Sequence, residues 1–111
     1  MTSQLINTYM SIKHITALRP KAEQVAELMR TLGNPDRLLL LCELSQGERC
    51  VSDLAECSGI EQPTLSQQLA VLRTQKLVVT RRDGKQIFYS VGDARTLALL
   101  KALYRLYCED S

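Results

Sequence analysis

The spacing of apolar residues divides the chain into segments with two different periods. Between Lys21 and Leu32, Val25, Leu28, Met29 and Leu32 recur at helical spacing, one face of an amphipathic helix. Gly33 ends it. Asn34-Pro35 starts another, since Asn is a favoured N-cap and Pro suits the first helical position. This second helix is expected to reach about Leu44, with Gln46-Gly47 as its stop. Its run Leu38–Cys42 is apolar around most of the circumference, which places the helix centrally in the core. Val51-Ser52-Asp53 opens a short third helix, with Ser52 as the expected N-cap and Gly59 as its end. After the turn Ile60-Glu61-Gln62, Pro63 starts a fourth helix running to about Thr74. Leu65, Leu69 and Leu72 share one face of it; Thr64, Gln67 and Gln68 lie opposite, with Ser66 on the flank. Beyond Lys76 the period changes to two. Leu77–Arg82 and Gln86–Val91 read as strands, and Asp83-Gly84 reads as a tight hairpin turn that needs positive φ. Asp93 caps a last helix that runs to about Cys108. Residues 1–17 show no clear period and read as an arm or short leading helix, leaving 18–111 as the folded domain. The fold class expected is mainly α with a small β-hairpin wing.

Composition narrows this further. The 111 residues suffice for one domain with a modest core. Hydrophobic residues at 45% and charged residues at 23% suit a soluble globular protein. Aromatics at 5%, without Trp, disfavour an all-β sandwich. The longest apolar run, Leu38–Cys42, falls far short of the ~20 residues of a membrane helix. No basic flank precedes an apolar stretch near Met1, so no export signal is read and the cytoplasm is the expected location. The single His, His14, cannot build a two-His metal site within a chain. With no nucleophile–base pair, Gly-rich phosphate loop or paired carboxylates, neither an enzyme nor a cofactor is expected.

Net charge is only +2, but it is unevenly spread: residues 36–61 carry −4, residues 62–86 carry +4. A contiguous basic stretch is the footprint of a polyanion-binding edge. It coincides with two helices joined by a short Gly-containing turn, a helix-turn-helix. A helix entering the DNA major groove needs short polar and amide side chains near its N-terminus, and Gln62, Thr64, Ser66, Gln67 and Gln68 supply them. Gln can bond adenine N6 and N7 together. Arg81, Arg82 and Lys85 on the following hairpin are then expected to reach the flanking phosphate backbone or the minor groove; phosphate contacts of that kind position the protein while the amides specify sequence.

The segments "LGNPDRLLLLCEL", "VSDLAECSGIEQPTLSQQLAVLR" and "VTRRDGKQIFYSV" resemble the ArsR/SmtB family of small winged-helix repressors, over about four-fifths of the chain. The resemblance implies a homodimer joined through its first and last helices, binding double-stranded operator DNA until an inducer relieves it. A twofold dimer would present two reading heads about 34 Å apart, suiting a palindromic site.

Many members of that family sense metals. One type uses a thiolate pair at the start of the third helix; here Cys50 is present, but Ser52 stands where the second thiolate belongs. Another uses Asp and His on the last helix, and here that helix has no His. A metal- or metalloid-responsive repressor therefore remains the alternative, without a recognisable ligand set. "RLLLLCEL" together with "LYRLYC" is similar to the BigR-like and SqrR-like subgroup that responds to hydrogen sulfide and persulfides. That resemblance implies that Cys42 and Cys108 are the sensor, with reactive sulfur species as inducer. Cys42 falls on the stripe of Leu38 and Leu41, and Cys108 on that of Leu97, Leu100 and Tyr104, so both are expected to face the core. A bridge between them would close a loop of about 67 residues, worth up to ~4 kcal/mol in the chain-entropy picture. Cys50 and Cys57 read as filler.

Overall fold

The computed structural model describes the backbone of residues 2–108 and the side chains of residues 16–108. The elements run α1 (Thr2–Leu32), α2 (Pro35–Ser45), β1 (Arg49–Cys50), α3 (Val51–Ser58), α4 (Thr64–Thr74), β2 (Val78–Asp83), β3 (Gln86–Val91) and α5 (Ala94–Tyr107). The strands form one antiparallel sheet in the order β1-β3-β2. The chain divides into two compact units, one ending at Leu32 and the other starting at Gly33.

The first unit is α1. Its backbone is helical from Thr2 and continuous past residues 17 and 18, with Pro20 inside it. The side chains of residues 1–15, His14 included, lie outside the described residues. Along the expected apolar stripe Leu32 is buried, whereas Val25 and Met29 are exposed, as is Leu18.

In the second unit α2 occupies the centre, packed against α3, α4, α5 and β3. The Asn34 side-chain oxygen accepts the Arg37 N–H at 3.1 Å, and Pro35 takes the first turn, where a missing N–H matters least. Leu40, Leu41 and Leu44 join Leu54 of α3, Leu65, Leu69 and Leu72 of α4 and Leu100 of α5 in the core. The expectation of burial all round fails at Leu39, which is exposed, because the neighbours of α2 in this unit cover only part of its circumference.

Three local expectations are corrected. The N-cap of α3 is Cys50, in extended conformation, and not Ser52, which lies inside the helix. The chain leaves β1 and turns directly into α3, so the last extended residue becomes the cap. The hairpin pairs Asp83 with Gln86, so its loop is Gly84-Lys85, one residue beyond Asp83-Gly84. Positive φ falls on Gly84 (+64°) and not on Lys85, the pattern of turns that place Gly first. Finally, the wing has a third strand. The two residues of β1 are too few to show a period of two, and only their pairing with Phe88 and Tyr89 reveals them.

Candidate functional site

The helix-turn-helix is α3, the turn at 59–63 and α4. Gly59 closes α3 at φ +72°, donating its N–H to the Ala55 carbonyl. Leu65, Leu69 and Leu72 bury one side of α4, leaving Ser66, Gln67, Ala70 and Arg73 exposed. Pro63 holds the N-cap position but has no side-chain acceptor. Gln62 replaces it from one residue upstream: its side-chain oxygen accepts the Ser66 N–H at 3.0 Å and the Ser66 hydroxyl at 2.7 Å. Gln68 is half-buried, and its side-chain oxygen accepts from Arg37 Nη1 of α2 at 3.1 Å. The expected base-reading set is thus divided. Gln62 and Ser66 cap α4, and Gln68 ties it to α2. The side chains of exposed Gln67 and half-buried Thr64 make no hydrogen bond among the described residues.

The wing divides its cations in the same way. Arg81 Nε and Nη2 donate to the two carboxylate oxygens of Glu48, both at 2.7 Å. Its guanidinium carbon lies 4.6 Å from the centre of the Phe88 ring. The Arg81 hydrogen bonds hold the Glu48 carboxyl below its ordinary range, and Glu48 in turn raises the Arg81 pKa. Arg82 and Lys85 are exposed, with no ion pair among the described residues. A cleft of about 370 Å³ separates α3, α4 and β3, lined among others by Ser66, Arg73, Thr74 and Tyr89. Sequence reading passed over Glu48, whose partner is 33 positions away, and no local pattern announces such a pair.

All four cysteines are thiols. Cys42, on α2, is half-buried. Cys108 is the C-cap of α5 and is exposed, contrary to the expectation that both face the core. Periodicity applies only inside a helix, and Cys108 (φ −124°) has already left it. The Cys42 thiol nonetheless responds to its surroundings. Burial pushes the Cys42 pKa up, and the charge of Cys108 adds to this, as does Glu43. The helices that carry them, α2 and α5, pack together. Cys50 is buried with its sulfur 3.2 Å from the Ser52 hydroxyl, and Cys57 is exposed. Among the described residues no group of three or more His, Cys, Asp or Glu converges as metal ligands. None of the described helices is long and apolar enough to cross a membrane.

A central helix, a helix-turn-helix with an outward polar face and a three-stranded basic wing define a winged helix-turn-helix regulator. Comparisons with known proteins agree. The model of the bacterial regulatory protein, arsR family, matches residues 34–80. The biofilm growth-associated repressor of Xylella fastidiosa (strain Temecula1) is 46% identical over 100 residues, covering 88% of both chains. The crystal structure of the transcriptional repressor BigR from Xylella fastidiosa superimposes with a TM-score of 0.78 at 46% identity, covering 86% of this chain and 97% of that one. The homodimeric winged helix-turn-helix DNA-binding domain from Mycobacterium bovis matches with a TM-score of 0.68 at 31% identity, covering 78% of this chain and 81% of that one. The chain belongs to the ArsR family of bacterial regulatory proteins. It is a transcriptional repressor of the ArsR/BigR type, not an enzyme.

Proposed function

We propose that this repressor binds operator DNA as a homodimer in its thiol form and releases it when Cys42 and Cys108 are bridged by reactive sulfur. The observation that carries the reading is that Cys42 and Cys108, distant in sequence, stand on α2 and at the C-terminal end of α5, two helices that pack together. Exposed Cys108 is the entry point. Its thiolate attacks the outer sulfur of a persulfide RS–SH and takes it, releasing RS⁻. Cys42 then attacks the Cys108 sulfur, forming the S–S bond and expelling HS⁻. Two thiols are oxidised, and the transferred sulfur leaves reduced as sulfide.

Bridging draws the end of α5 towards α2. Because α2 also packs against α4 and holds Gln68 through Arg37, a strained α2 is coupled to the reading helix. A shift of 1–3 kcal/mol between DNA-competent and incompetent states is ordinary for such switches. On the DNA side, Thr64 and Gln67 face the groove, supported by the capping of α4 through Gln62 and Ser66 and by its tether through Gln68. Arg82 and Lys85 contact phosphates. Exposed Leu18, Val25 and Met29 on α1, and Leu106 and Tyr107 on α5, support a dimer through the first and last helices, as does the homodimeric Mycobacterium relative.

The test is fluorescence anisotropy with a duplex enriched from a random pool by the reduced wild-type protein. Glutathione persulfide should release the wild-type protein, while Cys42→Ser and Cys108→Ser stay bound after treatment. Normal release by Cys42→Ser refutes the switch. A protein that enriches no duplex refutes the DNA-binding reading itself.

A further inference from the structure

Arg81 belongs to the basic hairpin, yet the structure surrounds it with partners of its own. Its guanidinium forms a two-pronged pair with Glu48, both bonds at 2.7 Å, the strongest geometry open to arginine and carboxylate. It also lies over the ring of Phe88, its cross-strand partner. Sheet order makes this arrangement consequential. Arg81 is on β2, Phe88 on the middle strand β3, and Glu48 immediately precedes β1. The side chain therefore reaches from β2 across β3 and fastens the wing to the residue that leads into β1, from which α3 departs. Arg82 points to the other face of the sheet, with Ile87 as its partner, and carries no such tie.

We propose that Arg81 is a positioning residue that fixes the wing against the base of α3, and that Arg82 and Lys85 alone supply the wing's phosphate contacts. The inference rests on the DNA-binding reading above. Its physical basis is charge. The Glu48–Arg81 pair is locally neutral, so it releases few counterions from DNA. Moving Arg81 onto a phosphate would strip it from Glu48 and leave a bare carboxylate beside a polyanion. Sequence alone could not separate the two adjacent arginines; the alternation of a strand and a remote glutamate do.

The test compares wild type, the charge-conserving double variant Glu48→Gln/Arg81→Gln, and Arg82→Gln. Affinity for the enriched duplex is measured across a salt series, together with amide hydrogen exchange and urea unfolding of the free protein. The double variant should keep the wild-type salt slope, and its urea midpoint should fall only slightly, as suits a partly exposed pair. It should bind the specific duplex roughly threefold to tenfold more weakly, the scale of one surface ion pair with its cation–π stacking, and its β2 and β3 amides should exchange faster. Arg82→Gln should keep wild-type exchange but flatten the slope by about 0.9 for each phosphate it no longer neutralises. The proposal is overturned if the double variant flattens the slope as Arg82→Gln does, or if its exchange and affinity match wild type. If wild type enriches no duplex, the DNA-binding reading falls with the division of roles between the two arginines, while unchanged exchange would sink the brace independently.

Discussion

A half-buried thiol and an exposed one do not react alike. Burial and the neighbouring charge of Cys108 favour the protonated form of Cys42, so its thiolate fraction near neutral pH is below that of an ordinary thiol. Iodoacetamide should therefore label Cys108 before Cys42, and the rate at Cys42 should rise with pH through a midpoint above the ordinary value of 9.0. Peptide mass spectrometry across a pH series checks both. Equal rates with a common midpoint would remove the assignment of Cys108 as entry point and Cys42 as resolving thiol. Core leucines obey a simpler rule. Leu54 is fully buried, and Leu54→Ala should lower unfolding free energy by about 2–5 kcal/mol through lost transfer energy and a residual cavity. A urea titration measures this.

At the scale of elements, caps and close approaches decide the outcome. The N-terminus of α4 is satisfied by Gln62, so Gln62→Ala should cost about 0.5–1 kcal/mol of stability even where no DNA is present. An unchanged urea midpoint would show that the Gln62 side chain does not stabilise the start of α4. Gly92 follows β3 at a point where an added methyl would meet Val79 Cγ1 at 2.8 Å, so Gly92→Ala should destabilise by about 1–3 kcal/mol. The sequence showed helices and strands where their signals are local: the Asn34-Pro35 start, the Gly59 stop and the Asp93 cap, which accepts from Thr96 N–H at 3.2 Å. It misplaced the hairpin loop by one residue and missed β1, because register and a two-residue strand are settled by the partner strand rather than by the segment itself.

At the scale of the whole molecule, the Glu48–Arg81 pair joins segments distant in sequence, and the proposed bridge between Cys42 and Cys108 would join two more; each gives a condition-dependent signal. Glu48 has its pKa lowered in the folded protein, so its contribution is present above the ordinary value near 4.5 and is lost as pH falls through the lowered one. Amides of β2 and β3 should thus lose protection under acid before those of α2, and hydrogen exchange at stepped pH would reveal the order. Simultaneous loss would show that the pair does not hold the wing. The proposed bridge between Cys42 and Cys108 restricts the unfolded chain, so persulfide-treated protein should unfold at higher urea, and a reductant should reverse the shift.

The sequence alone determined the succession of elements apart from β1, the polar face of α4, the basic hairpin and the family resemblance, since helical period, capping residues and turn residues act over a few neighbours. Tertiary structure decided which members of each set are occupied. Gln62, Gln68 and Arg81 share the residue types of Gln67 and Arg82, yet Ser66, Arg37 and Glu48 engage them. It also decided that Cys108 is exposed while Cys42 is half-buried. The physical reason is common to these cases: the availability of a polar group depends on what lies within hydrogen-bonding or Coulombic reach, and folding brings together groups tens of residues apart.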